Sequence, residues 1–252
     1  SDWKNITDKN MVLVNSAGNQ GLSVSAHPGY FVTAKDDSGN LILGGKVLIV
    51  GAVDHNNNLY AWSNQAGHIC QNIVDNACAD THKVSDFYVL APGNSYSTTD
   101  GGYTNMSGTS MAAPYVTGQV AILHQMWPHM KAENLVKLVT STADKNINGY
   151  NVNIHGQGII DLDEATQPQG AVGIATTGRV DGSTSSLSNT YISGSSSALA
   201  TLSNVKIMIL DGFDRDYYTT LGSSIQVIDT RKISDIEVLN KGYFYLPFNN
   251  SF

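Results

Sequence analysis

The sequence predicts an α/β fold, a parallel sheet flanked by helices, with a β-rich C-terminal extension. Three observations carry this. Short, continuously apolar runs bounded by Gly and Asn recur before residue 100, as in strands covered on both faces. From Ser110 the apolar spacing becomes helical. At Gln167-Pro-Gln-Gly170 the composition turns Gly-, Ser- and Thr-rich with weak alternation.

In chain order, Met11-Val-Leu-Val-Asn15 reads as a short buried strand running into Ser16-Ala-Gly-Asn-Gln-Gly21. Lys46–Asp54 and Phe87–Pro92 are the second and third strands, with turn signals at Asp36-Asp-Ser-Gly-Asn40 and His55-Asn-Asn-Asn58 between them. Apolar residues from Met111 to Trp127 fall nearly all round a helix that stops before Pro128, so a buried helix is expected. Leu135, Val136, Leu138 and Val139 mark a second helix from about Ala132 to Ser141. His155-Gly-Gln-Gly158 and the residues up to Ala165 read as a turn, a short strand and a short closing element. Residues 1–168 form the first domain on this reading, and 169–252 a β-rich extension or linker with strands at Val205–Leu210 and Ile225–Ile228.

A chain of 252 residues is long enough for a sizeable core, and its 24 glycines point to many turns. A net charge of −7 with 14 basic side chains argues against nucleic acid as partner. No apolar run reaches the roughly 18–20 residues of a membrane-spanning helix. The start, Ser1-Asp2-Trp3, has no signal-peptide pattern and reads as cut, processed or cloned from something longer. Cys70 and Cys78 are spaced for neither zinc nor redox chemistry. A disulfide closing a small loop fits an oxidising compartment, with two free thiols as the rival. Asp211, Asp214, Arg215 and Asp216 are read as a turn with local ion pairing ahead of a calcium site. No metal or cofactor is called for.

The chemistry concentrates in Asn105-Met-Ser-Gly-Thr-Ser-Met-Ala-Ala-Pro114. A serine hydroxyl needs a base to take its proton and donors to hold the oxyanion that forms. Ser110 sits where a glycine-containing turn enters a helix, whose free N–H groups and dipole favour negative charge. Gly108 is read as permitting that turn, and Ala112 and Ala113 as allowing close packing. The plainer role for such a serine is an N-cap. Asn19 similarly lies in a Gly-Asn-x-Gly turn able to present a carboxamide N–H, or to be only a tight turn.

Gly108-Thr-Ser-Met-Ala-Ala-Pro-x-Val-x-Gly118 resembles the nucleophile motif of the subtilisin-like serine proteases, with Tyr115 in place of the usual His. The Ser16–Gly21 segment is similar to that family's oxyanion segment, and Val50–Asp54, Ala61–Asn64, Leu90–Gly93 and Gly156–Ala165 are similar to further landmarks in family order. The resemblance covers about residues 10–168 and implies a subtilisin-like fold and a serine endopeptidase cleaving protein or peptide substrates. It implies Ser110 as nucleophile, the Asn19 side chain and Ser110 N–H as oxyanion donors, and Ser16, Ala17 and Gly18 as one wall of the pocket for the residue before the scissile bond.

The same resemblance calls for an Asp and a His upstream of these segments, and neither motif occurs. Asp37-Ser-Gly39 follows Asn19 and is a turn; His155-Gly156 follows Ser110; His27, His55, His68, His82, His124 and His129 lack the family's context. The chain therefore reads as the C-terminal part of the catalytic domain, incomplete at its N-terminus and inactive alone. Its partner is the N-terminal half of the same protease, carrying Asp and His. Val205–Tyr218 resembles the segment after the protease domain in bacterial autotransporter subtilases, which implies a secreted or cell-surface setting. The rival reading is a protease-like scaffold or binding module without catalysis.

Overall fold

A computed structural model describes residues 9–23, 35–36, 38–67, 73–74, 77–78, 83–177, 179–180, 182–186 and 204–220. Cys70, the Ile225–Ile228 strand and most of the low-complexity stretch lie outside them. Contacts divide the chain into two compact units, Ser1–Gln167 and Pro168–Phe252.

The first unit is organised by three strands, β1 (Leu13–Ser16), β2 (Val47–Val53) and, further along the chain, Tyr88–Pro92. They run parallel, with β2 in the centre. Every residue of β2 is buried, which is why its run is apolar without alternation. Between β2 and the third long strand lies a small antiparallel pair, β3 (Ile73–Val74) and β4 (Ala77–Cys78). The third strand of the sheet is thus β5, Tyr88–Pro92, entered from a 3-10 turn at Val84–Phe87. The expected turns form too: Asp36 Oδ1 accepts N–H bonds from Ser38 and Asn40, and Asp54 Oδ1 accepts them from Asn56 and Asn58.

β1 departs from the expected buried strand. Among the described residues it is an edge of the sheet, half-buried, and it begins two residues later than the apolar run, with Met11 half exposed. An antiparallel hairpin, β6 (Asn94–Thr99) and β7 (Gly102–Ser107), leads into the first helix and was not expected. Its strands are too polar for a periodicity signal, but Asp100-Gly101 is a hairpin turn signature, and Gly101 has φ 89°.

Helix α1 (Thr109–Met126) packs across β1, β2 and β5 through Ala112, Val116, Gln119 and Leu123. It is not buried all round, which corrects the expectation. Tyr115, Ile122 and Met126 are 43–49% exposed, because among the described residues nothing covers that face. Helix α2 (Ala132–Ser141) has the predicted bounds and buries Leu135, Val136, Leu138 and Val139. Asn10 caps it from outside: Oδ1 accepts the Ala132 N–H at 2.6 Å while Nδ2 donates to the Met130 carbonyl.

A short helix, α3 (Val152–His155), precedes Gly156-Gln-Gly158; Ile159 then bridges Leu90 and Asp144, and α4 (Leu162–Thr166) closes the unit. His155 is buried, stacks on Tyr150, and accepts the Asn151 N–H at Nδ1. Burial pushes its pKa below the ordinary imidazole value of 6.5. Below about pH 6.5 the unfolded chain therefore takes up a proton that the fold resists, and stability falls until the folded value is passed. A urea midpoint followed from pH 7.5 to 4.5 should drop in that window, and the drop should shrink in His155→Gln.

The second unit is an antiparallel sheet in the order β11-β10-β8-β9, from β8 (Gly173–Ala175), β9 (Thr184–Ser186), β10 (Lys206–Leu210) and β11 (Asp216–Thr220). The turn between β10 and β11 holds the ion pair anticipated there. Arg215 is fully buried, with Nη2 and Nε 2.7 and 2.9 Å from Asp211 Oδ2. The same carboxylate accepts backbone N–H bonds from Gln169, Phe213 and Arg215, and the guanidinium lies 5.5 Å from the Tyr217 ring centroid. These donors occupy the carboxylate oxygens, and among the described residues no acidic, His or Cys cluster is arranged to hold a metal. Arg215→Met should cost about 3–5 kcal/mol by stranding Asp211, and adding Asp211→Asn should recover part of it in the urea unfolding curve.

Candidate active site

The C-terminal end of β1 is where the chemistry gathers. Ser16 is in register with Val50, and Ala17 N–H still donates to the Val50 carbonyl at 2.8 Å. The chain then turns at Gly18, whose φ of 101° suits glycine, and where a Cβ would fall 2.6 Å from Asn64 Nδ2. The loop beyond is moulded round Asn64, which is fully buried. Asn64 Oδ1 accepts N–H bonds from Gln20 and Leu22, and Nδ2 donates to the Ala17 carbonyl and Gln20 Oε1. Asn64 N–H donates to the Gly18 carbonyl. Tyr88 on β5 fixes Asn64 in turn, its hydroxyl donating to the Asn64 carbonyl at 2.6 Å. Burial holds that phenol far above its ordinary pKa, so it stays a donor.

Asn19 projects from this braced loop, exposed, towards the start of α1. Its Oδ1 accepts both the Thr109 backbone N–H and the Thr109 hydroxyl, each at 2.9 Å. The Thr109 oxygen itself accepts the Gly18 N–H at 3.1 Å. The acceptor end of the carboxamide is thereby engaged, which sets Nδ2 as the end that faces outwards. Asn19 Nδ2 and Ser110 N lie 3.4 and 3.7 Å from the position a Gly108 Cβ would take.

Gly108 is itself the N-cap of α1, so Ser110 is not the cap; it stands exposed in the first helical turn. The backbone at Gly108 is extended (φ 162°), a conformation open to any residue. Its value is therefore the space it leaves between two amide donors, not the turn first assigned to it.

Of the residues singled out from sequence, Ser110 and Ser16 line one cleft of about 480 Å³, between β1 and α1. Ala17 is buried and, with Gly18, contributes backbone groups to the loop. Ser110 also opens on a second cavity of about 600 Å³ along the uncovered face of α1. Sequence reasoning missed the orienting roles of Thr109 and Asn64. Their only signal was a small polar residue next to the nucleophile and an Asn closing an apolar turn.

Among the described residues no base hydrogen-bonds the Ser110 hydroxyl. His124 shares α1 but stands roughly 21 Å away at 1.5 Å per residue. His155 is engaged with Asn151 and Tyr150. His27, His68 and His82 lie outside the described residues.

A model of the subtilase family matches residues 2–159. The chain belongs to the subtilase family. Subtilisin DY from Bacillus licheniformis is 32% identical over 160 residues, 62% of this subtilase chain and 47% of the relative. An extracellular serine protease from Serratia marcescens is 45% identical over 65 residues, covering 25% of this chain and 6% of that protein. Fervidolysin from Fervidobacterium pennivorans is 46% identical over 71 residues, 28% and 10% of the two chains. A solved prenylagaramide maturation protease aligns over 62% of this subtilase and 50% of its own chain, at 20% identity and a TM-score of 0.44. The subtilase thus spans about half the length of the subtilisin it matches.

Proposed function

We propose that the chain forms part of a serine endopeptidase that cleaves protein or peptide substrates through an acyl-enzyme on Ser110. The observation that carries this is the Asn19–Thr109 lock, which aims a carboxamide N–H at the same small space as the Ser110 backbone N–H. In the reaction a base takes the Ser110 proton as Oγ attacks the scissile carbonyl. Asn19 Nδ2–H and Ser110 N–H hold the resulting oxyanion; the C–N bond breaks, the amine leaves with the proton, and water hydrolyses the ester. Ser16, Ala17 and Gly18 form one wall of the pocket for the residue before the scissile bond.

The base and its orienting carboxylate are supplied by a segment of the same protease that precedes these residues. This is favoured by the absence, among the described residues, of any base on Ser110. Residues 169–252 are a β-rich extension, and the whole is a secreted or cell-surface passenger of the autotransporter kind, a reading supported by the Val205–Tyr218 motif. Cleavage of a fluorogenic peptide library tests the proposal. The 252-residue chain alone should show no turnover above buffer, and the protein extended by its upstream residues should be active. Equal activity of the two would overturn it.

A further inference from the structure

Tyr88 is fully buried on β5, yet it carries a hydroxyl into a core that a phenylalanine would fill with no polar group to satisfy. Two glycines from distant segments make its room. A Cβ on Gly51, in the middle of β2, would overlap the Tyr88 hydroxyl. A Cβ on Gly156, just after α3, would overlap the near edge of the ring and the Tyr88 carbonyl. Glycine inside a strand weakens it and often marks a close approach of this kind. The ring thus sits in a slot cleared at both ends, and its hydroxyl reaches the Asn64 carbonyl at 2.6 Å. Ser63, also buried, adds a longer bond to that carbonyl at 3.3 Å, while its oxygen accepts the Ala52 N–H. Asn64 in turn bonds Ala17, Gly18, Gln20 and Leu22, the residues on both sides of Asn19. Thr109 holds the Asn19 side chain from the helix, and Asn64 holds its backbone from the sheet.

We propose that Tyr88 is a positioning residue: its hydroxyl, seated between Gly51 and Gly156, fixes Asn64 and through it the point at which Asn19 offers Nδ2–H to the oxyanion. The proposal rests on the catalytic reading above and carries the oxyanion site back through the sheet, from β1 to the strand on the far side of β2. A donor has its full effect only where it meets the oxyanion at hydrogen-bond distance, so a small displacement of the loop costs rate while the fold persists. Bound substrate carries no oxyanion, so the loss falls on kcat and leaves KM nearly unchanged.

The test uses the protein with its upstream residues, and rates are expressed per folded molecule. Tyr88→Phe should lower kcat about 10- to 100-fold with KM within about twofold of the parent. Tyr88→p-aminophenylalanine, which restores a neutral donor at the same place, should recover most of that loss. In the Asn19→Leu background Tyr88→Phe should cost less than about twofold more, because the donor it positions is gone. A lower Tm with unchanged kcat would make Tyr88 a core residue only and overturn the proposal. Losses that add to those of Asn19→Leu, or no recovery with the amine, would overturn it too. Should Tyr88→Phe fail to fold, Ser63→Ala decides, since it removes the longer bond to the same carbonyl and leaves the ring in place. Its kcat should fall about two- to fivefold, and an unchanged kcat refutes the relay. Fluorophosphonate labelling of Ser110 in the parent reports the catalytic reading separately. A labelled parent with an unaffected Tyr88→Phe variant sinks the positioning role alone, and an unlabelled, inactive parent sinks the catalytic reading and this proposal with it.

Discussion

Ser110→Ala in the protein with its upstream segment should lower kcat by about a million-fold, the size of loss that removal of the nucleophile produces in subtilisin itself. That is about 8 kcal/mol of barrier, more than any stability effect expected in this chain. The fold should survive. Ser110 is exposed, is not the helix cap, and makes no side-chain hydrogen bond among the described residues, so its hydroxyl contributes nothing to the packing of α1. The melting temperature should stay within a degree or two while turnover of a chromogenic peptide vanishes. A variant that keeps activity would remove Ser110 from the reaction; one that unfolds would show that it holds the helix start together.

Asn19→Leu should cost about 100- to 1,000-fold in kcat with a small change in KM, a magnitude also established in subtilisin. In the proposed reaction the carboxamide donates to charge that develops only as Oγ attacks the carbonyl, so the loss belongs to kcat. Thr109→Val extends the test, because Thr109 is itself fully buried. Its hydroxyl fixes the Asn19 acceptor end and receives the Gly18 N–H. Removing it leaves the Thr109 backbone N–H on Asn19 Oδ1, so the carboxamide is loosened rather than lost. The expected fall in kcat is smaller than for Asn19→Leu, and the double variant should cost little more than Asn19→Leu alone. Additive losses would mean that Thr109 acts independently of Asn19.

The strands and helices were legible because each announces its period. Val47–Val53 is an unbroken apolar run, and Ala132–Ser141 has a clean helical spacing. The exposed face of α1 was not legible. Tyr115, Ile122 and Met126 are apolar, and apolar residues predict burial without saying what buries them. The β6–β7 hairpin escaped because its strands are polar and only the Asp100-Gly101 turn marks them. At the site, the resemblance to the subtilisin-like proteases implied that Asn19 and Ser110 belong together. It was silent on Thr109, whose hydroxyl bridges loop and helix, and on Asn64, whose hydrogen bonds span residues far apart in the chain.

The central claim is that Ser110 becomes a nucleophile only when a segment beyond this sequence supplies its base. Mass-spectrometric mapping of a fluorophosphonate adduct tests it most directly, comparing the protein with its upstream residues against the 252-residue chain alone. The account predicts a single adduct on Ser110 in the former and none in the latter under the same exposure. An adduct on another serine, or equal labelling of Ser110 in both, would contradict it.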